Sequence, residues 1–177
     1  MADRHDTPSR ELGKLREFST KLAERLASAS EATDQADRLA VRIGDRGYLV
    51  DMSLASEIVP LPAITTVPWT HAWYRGLINV RGRLVGVVDL DQFSGRNALS
   101  EAESQQALVF GEALGLNAAL LISRAYGLRS VSAMSPLAAK EALPFEKGRW
   151  LDADGSVLIE LDLRELVRAP GFAHVGV

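Results

Sequence analysis

The chain has 177 residues, of which 47% are hydrophobic and 24% charged, and its net charge at pH 7 is −3. This balance is typical of a globular protein and lacks the basic excess of most proteins that bind nucleic acid or anionic membranes. The absence of cysteine excludes disulfides, thiolate nucleophiles and Cys-ligated zinc. No run of about 18 apolar residues predicts a membrane span, and the polar first residues do not resemble a signal peptide. We therefore expect a cytoplasmic protein with no direct membrane insertion.

The first segment with a clear period is an amphipathic helix over residues 8–30. Thr7 followed by Pro8 suits an N-cap and a first helical residue, and the small and polar residues 28–37 are typical of a linker. The sequence leaves open whether this helix packs on its own domain or docks on a partner. Its apolar positions recur at spacings of three and four: Leu12, Leu15, Phe18, Leu22 and Leu26.

From residue 38 the period changes to that of short strands. Residues 39–43 and 48–50 alternate apolar and polar side chains around a glycine-containing turn, which predicts a hairpin. Residues 57–61 predict another strand, and Pro60 places it at a sheet edge or a strand end. Residues 76–80 and 84–90 predict a second hairpin. The polar stretch that ends at residue 106 has room for one short helical turn.

The second half repeats this pattern. Short strands are predicted at residues 107–110, 118–123 and 128–131, and a helical turn at residues 135–142. Residues 148–151 and 157–161 flank Asp154-Gly155, a pair that favours a primed hairpin turn. Asp162 is a suitable N-cap for a short closing helix over residues 163–167. Many short strands in two similar halves predict an all-β protein built as a duplicated small barrel.

No pattern of catalytic residues is evident. The three histidines, His5, His71 and His174, lack metal-ligand spacing, and neither a nucleophile elbow nor a phosphate-binding glycine loop is present. Asp89 and Asp91 suit either a magnesium site or, more commonly, the cap of a turn. Asp152 and Asp154 match the first ligand positions of a calcium-binding loop. Such a loop needs a bidentate acidic residue at its twelfth position, which here is Leu163, so a hairpin turn is the better interpretation. We expect no catalysis, cofactor or metal.

Residues 69–90 combine aromatic and arginine side chains most densely. Three interpretations remain open for this segment. It could bind single-stranded nucleic acid by stacking and phosphate contact, or form a protein interface, where Trp, Tyr and Arg are enriched. Alternatively, the tryptophans close the end of a barrel and the arginines lie at loop tips. The residues concerned are Trp69, Trp73, Tyr74, Arg75, Arg81 and Arg83.

Residues 75–90, RGLINVRGRLVGVVDL, resemble the signature of the CheW-like adaptor domain. That signature runs Gly-Val-Ile-Asn-Leu-Arg-Gly, then about four apolar residues, then Asp-Leu. Residues 39–48 are similar to the opening hairpin of the family, residues 55–59 to its Val-x-Glu-Ile segment, and residues 119–128 to its second-half Gly-Leu-Leu-Val-Asp pattern. Residues 150–163 are similar to its closing hairpin and helix, so the resemblance covers about residues 39–167.

The resemblance implies two small five-stranded SH3-like barrels that are intertwined and share a core. To these we add the N-terminal amphipathic helix and a short C-terminal helix. The segments are then a helix and linker (1–37), a CheW-like domain of two barrel subdomains (38–168) and a tail (169–177). The implied function is a non-enzymatic bridge between the cytoplasmic tip of a chemoreceptor and the regulatory domain of a CheA-type histidine kinase, recruited to membrane receptor arrays through these partners.

Within the family, the chain is most similar to adaptors of the chemosensory systems that govern type IV pili and twitching motility. The similarity lies in the N-terminal helix and in residues 81–84, 92–95 and 169–172. A coupling protein of flagellar chemotaxis is the alternative within the family. A small barrel that binds single-stranded nucleic acid is the alternative from another class.

The resemblance also implies roles for individual residues. Kinase-binding positions are Ala55, Glu57 and Ile58; receptor-binding positions are Asn79, Arg81, Gly82, Val87 and Asp89; structural turns are Gly76, Gly82 and Gly155. An internal salt bridge is the alternative for Arg81. The chain departs from the family pattern at Ser123, where Asp is usual, at Arg83, where a small or β-branched residue is common, and at Ala55, where Val is usual.

Overall fold

The computed structural model describes residues 38–100, 102–138 and 142–177. The helix predicted over residues 8–30 and its linker lie outside the described residues. Two short helices are α1 (Leu90–Phe93) and α2 (Leu163–Arg168), and 3-10 turns occupy Met52–Leu54, Glu112–Leu114 and Val131–Ala133. The described strands are β1 (Arg38–Ile43), β2 (Arg46–Asp51), β3 (Ala55–Pro60), β4 (Tyr74–Val80), β5 (Arg83–Val88), β6 (Gln106–Phe110), β7 (Ala118–Ile122), β8 (Arg124–Arg129), β9 (Ser135–Leu137), β10 (Glu146–Leu151) and β11 (Val157–Leu161).

The strands form two mixed sheets. The first sheet has six strands in the order β8-β1-β2-β11-β10-β9, and the second has five in the order β3-β6-β7-β5-β4. Each sheet contains one parallel pair, β2 with β11 and β5 with β7, and the other pairs are antiparallel. The first sheet therefore combines strands from both ends of the described chain. Both sheets combine strands from the two halves of the sequence, as a parallel pair requires partners from distant parts of the chain.

The core lies between the two sheets. Alternate side chains of each strand point to the same face, and one such set from each sheet faces the core. Val41 of β1, Val87 of β5 and Leu120 of β7 are fully buried in this cluster. All five residues of β7 are buried, as expected for a central strand covered on both faces. The opposite face of the first sheet carries a smaller cluster, which the Val131–Ala133 turn covers: Ala40, Leu49, Val131, Met134 and Leu158.

Most predicted elements are present. The hairpins β1–β2, β4–β5 and β10–β11 are confirmed, and Pro60 ends β3, an edge strand of the second sheet. The Oδ1 atom of Asp162 accepts hydrogen bonds from the N–H groups of Arg164 and Glu165, at 2.8 and 3.2 Å, which confirms the predicted cap of α2. No helix within the described ranges is both long enough and apolar enough to cross a membrane.

Three local predictions are wrong. Ser135–Leu137 is an edge strand paired with β10 rather than a helical turn, and an edge tolerates the missing N–H of Pro136. The strand predicted at residues 128–131 begins earlier, as β8, and ends before the 3-10 turn at Val131–Ala133. The β10–β11 connection is not a two-residue primed turn. Five residues separate the paired Leu151 and Val157, although Gly155 has the expected positive φ of 83°.

We expect Gly76→Ala to lower the free energy of unfolding by about 3 kcal/mol or more. Gly76 has a φ of 128°, and a Cβ there would overlap the carbonyl group of Thr65. That carbonyl cannot move away freely, because it accepts a hydrogen bond of 2.8 Å from the N–H of Leu77. Urea unfolding followed by circular dichroism measures the change.

The matched control is Gly155→Ala, since Gly155 also has a positive φ but no neighbouring atom within 4 Å of the added Cβ. It should lose only the cost of a left-handed conformation, about 1–2 kcal/mol. An equal decrease in the free energy of unfolding for the two variants would show that the overlap with Thr65 does not contribute to the effect of Gly76→Ala.

Candidate partner-binding site at the β4–β5 turn

The β4–β5 turn is built from two consecutive residues with positive φ. Val80 pairs with Arg83, which leaves Arg81 (φ 53°) and Gly82 (φ 83°) as the two loop residues. Two positive φ values in a two-residue loop match the right-handed twist of the flanking strands. The side-chain Oδ1 of Asn79 accepts a hydrogen bond of 2.8 Å from the N–H of Gly82. The three residues thus form one local unit that presents the Arg81 side chain to solvent.

An ion pair joins this turn to the opposite edge of the second sheet. The Nη2 atom of Arg81 lies 2.9 Å from Oε2 of Glu57, on β3. Since β3 and β4 are the two edge strands of this sheet, the sheet curves until its edges come within reach of an arginine side chain. The Arg81 side chain is nevertheless 81% exposed, and that of Glu57 24% exposed. The internal salt bridge considered for Arg81 is therefore present, and because the guanidinium is also accessible, receptor binding by Arg81 stays a prediction.

Exposed pairs of this kind add little stability, typically less than about 1 kcal/mol. The guanidinium has five N–H donors in a planar fork, so the contact with Glu57 leaves donors available for a partner. The other two predicted kinase-binding residues, Ala55 and Ile58, are half-buried and pack against the core. Among the predicted contact residues, Glu57, Asn79, Arg81 and Gly82 thus come together around one turn.

Val87 and Asp89 require a correction. Both are 0% exposed, so neither side chain can contact a receptor. Val87 is part of the core. The carboxylate of Asp89 caps α1 by accepting from the N–H of Gln92 at 3.1 Å, and it also accepts from the N–H of Leu99 at 2.9 Å and from Arg75 Nη1 at 3.3 Å. The buried charge is satisfied by these donors, so the role of Asp89 is to join β4, α1 and the following loop.

Asp91 belongs to a second buried network. Its Oδ1 accepts a hydrogen bond of 2.7 Å from Arg96 Nε, and Arg96 Nη2 donates to the Tyr48 hydroxyl at 2.9 Å. Burial raises the pKa of the Asp91 carboxyl, an effect that the contact with Arg96 opposes. Burial also raises the pKa of Tyr48 to about 12. Asp89 and Asp91 are therefore held by different donors, and the turn-capping interpretation describes Asp89 correctly.

The aromatic and arginine side chains of residues 69–83 do not share one surface. Trp73 packs in an aromatic cluster, with its ring 5.1 Å from that of Phe93 and 6.1 Å from that of Phe172. Arg75 contacts the buried Asp89, and Arg83 donates to the side chain of Asn117 at 2.7 Å. Trp69 alone of the two tryptophans is exposed, at 82%. A continuous stacking platform for nucleic acid is not formed by these residues.

The structure shows features of this region that the sequence did not indicate. Trp69 has a φ of 60°, and its carbonyl accepts a hydrogen bond of 3.0 Å from the N–H of Val177. The N–H of His71 donates to Val175 O at 2.8 Å. The last residues of the chain thus hold the loop that presents Trp69. The sequence left an internal salt bridge open for Arg81, but it did not indicate Glu57 as the partner, because that contact depends on the curvature of the sheet.

We expect Arg81→Asn to leave the free energy of unfolding unchanged to within about 1 kcal/mol. Asparagine tolerates the left-handed conformation better than arginine does, which offsets the loss of the ion pair with Glu57. Urea unfolding of the two proteins measures the difference. A loss of more than about 2 kcal/mol would show that Arg81 is a structural residue rather than one available to partners.

We expect stability to fall between pH 10 and pH 12 because Tyr48 titrates higher in the folded protein than in the unfolded chain. A raised folded pKa of about 12 contributes stability that is complete below the unfolded value near 10 and is lost as pH rises through 12. The contribution is roughly 2–3 kcal/mol.

Chemical unfolding at pH 7 to 12, compared between the unaltered protein and Tyr48→Phe, measures this effect. The variant should lose about 1.5 kcal/mol at pH 7 with the hydrogen bond from Arg96, and its stability should decline less above pH 10. Tyr126→Phe, which removes an exposed hydroxyl, is the matched control. An identical decline in Tyr48→Phe and the unaltered protein would contradict the assignment to Tyr48.

Comparison with known proteins shows which family this chain is similar to. The model of the family described as the CheW-like domain matches residues 37–171. Protein PilI of Pseudomonas aeruginosa is 29% identical over 123 residues, which cover 70% of this chain and 68% of that protein. The crystal structure of scaffolding protein TtCheW from Thermoanaerobacter tengcongensis has the same fold, with a TM-score of 0.63 and 21% identity over 76% of this chain and 94% of that one. The chain therefore belongs to the CheW-like domain family.

Proposed function

We propose that this protein is a non-catalytic adaptor that couples the tip of a chemoreceptor to the regulatory domain of a CheA-type histidine kinase. The likeness to PilI supports a chemosensory system that controls type IV pili and twitching motility. Residues 38–168 carry this function, and residues 1–37 and 169–177 flank it. The observation that carries the proposal is the exposed ion pair between Arg81 and Glu57 at the edge of the second sheet.

The two residues were assigned to different partners, Arg81 to the receptor and Glu57 to the kinase. Their side chains are 2.9 Å apart, so a partner that binds one of them acts on the other. A receptor carboxylate that takes donors of Arg81 weakens the hold of Arg81 on Glu57, and Glu57 then becomes more available to a cation of the kinase. Coupling between two binding events requires such a differential contact. Here the contact is a single exposed ion pair, which is weak enough to be exchanged.

The test is calorimetric titration of the full chain into the regulatory domain of the pilus-system kinase and, separately, into a receptor-tip fragment. Arg81→Glu and Glu57→Arg should each weaken binding of the assigned partner at least tenfold, because each reverses the charge that the partner meets. The double reversal, Arg81→Glu with Glu57→Arg, restores an ion pair but not the charges that the partners recognise. We therefore expect the double variant to bind as poorly as the single variants.

A matched control is present in α2, where Arg168 Nη1 lies 3.1 Å from Oε1 of Glu165 in a comparably exposed pair. Reversal of that pair should leave both titrations unchanged. Full recovery of binding in the Arg81–Glu57 double reversal would show that the pair acts only within the fold and would refute the proposed contact. Binding to a flagellar kinase and not to the pilus-system kinase would keep the adaptor function and change the pathway.

A further inference from the structure

Two pairs of arginines face each other across β1 and β8 in the first sheet. Arg38 is the register partner of Arg129, and Arg42 is the register partner of Arg124. Like charges directly opposite each other on neighbouring strands destabilise a sheet unless they are neutralised. The first pair is neutralised within the protein. Arg38 Nε lies 3.6 Å from Glu160, and Arg129 Nε lies 3.4 Å from Asp152.

The second pair is not neutralised in this way. Arg42 Nε donates to the carbonyl of Gly44 at 2.8 Å, and the guanidinium of Arg124 lies 5.9 Å from the ring centroid of Tyr126. Within residues 38–100, 102–138 and 142–177, no carboxylate lies within 4 Å of either guanidinium. Arg42 and Arg124 are both exposed. Two cations are therefore held side by side at the surface with no internal counter-charge in contact.

The two arginines lie where two cavities meet. A cavity of about 510 Å³ is lined by Arg42, Arg46 and Tyr126, and a cavity of about 300 Å³ by Arg42, Ser123 and Arg124. The Oγ atom of Ser123 is buried and has no hydrogen-bond partner among the described residues. Because that atom is buried, a ligand at the surface does not reach it.

Most acidic residues around these cavities are already engaged. Glu103 accepts two hydrogen bonds from Ser100 and is also attracted by Arg42, which helps to lower the pKa of the Glu103 carboxyl. Asp154 accepts from Ser156, and Asp152 contacts Arg129. Together with the exposed Asp45, which also lines the larger cavity, these carboxylates repel a polyphosphate backbone. A short acidic peptide carries each carboxylate on its own flexible side chain, so it can place one carboxylate at the two arginines and turn the others away from these acidic groups.

We propose that Arg42, Arg124 and Tyr126, named here the Arg42–Arg124 surface, bind an acidic peptide segment of a partner protein. One carboxylate of the segment lies between the two guanidiniums and accepts hydrogen bonds from both. The half-exposed ring of Tyr126 packs against the neighbouring part of the peptide. This surface belongs to the first sheet and uses none of the residues of the β4–β5 turn, so the proposal does not depend on the Arg81–Glu57 contact.

The test uses fluorescein-labelled hexaglutamate and the full chain, with fluorescence anisotropy at low ionic strength. The unaltered protein should bind hexaglutamate and not a labelled Gly-Ser hexapeptide. The double variant Arg42→Gln/Arg124→Gln should lose at least tenfold in affinity. Ser123→Ala, which removes a buried hydroxyl, should bind like the unaltered protein. Arg164→Gln/Arg168→Gln removes the same charge from α2 and should bind like the unaltered protein.

A second readout separates a binding role from a structural one. Because the pair is repulsive in the free protein, Arg42→Gln and Arg124→Gln should each raise the melting temperature by about 1–3 °C. A fall in melting temperature would show that the arginines stabilise the fold, and it would overturn the proposal. An absence of hexaglutamate binding, or an equal loss in the α2 control, would overturn it too.

Two further outcomes would assign the surface to another ligand and so refute an acidic peptide. One is tighter binding of a labelled oligothymidine hexamer than of hexaglutamate, abolished in Arg42→Gln/Arg124→Gln. The other is self-association of the unaltered protein in sedimentation velocity that this variant removes, with no binding of hexaglutamate.

Discussion

The architecture depends on the parallel pairing of β2 with β11, which joins the first hairpin of the described chain to the last. Leu158 and Leu161 of β11 lie opposite Gly47 and Val50 of β2. This pairing is what connects β11, β10 and β9 to the rest of the first sheet. It also positions α2, which follows β11, so that its buried leucines pack on the core. Such contacts join distant parts of the chain, so their loop-closure entropy must be overcome before burial stabilises them.

Burial decides which charged groups hold the fold and which remain available to partners. Asp89 is fully buried and accepts hydrogen bonds from two backbone N–H groups and an arginine, so its loss would leave uncompensated donors. Arg81 makes one short contact with Glu57 yet stays largely exposed. Both are charged residues close to β4 and β5, and only their exposure distinguishes a residue held inside the fold from one that is accessible to partners.

Local features of the fold were predictable because each depends on few neighbouring residues. Asp162 caps α2, Pro60 ends an edge strand, and the three hairpins follow alternating apolar patterns. Ser135–Leu137 was mistaken for a helical turn because its strand character comes from its partner β10, not from its own pattern. Val87 and Asp89 were mistaken for contact residues, since a family motif marks positions without saying which are buried.

By itself, the sequence determined the all-β class, the family, the positions of the hairpins and the turn that carries Asn79, Arg81 and Gly82. These follow from periodicity and from short motifs, which act over a few residues. Only the tertiary structure decided that the two sheets share strands from distant segments, that Glu57 reaches Arg81, and that Arg42 faces Arg124. The physical reason is that strand order and sheet curvature are set by packing between remote segments, and a local pattern contains no information about which strands become neighbours.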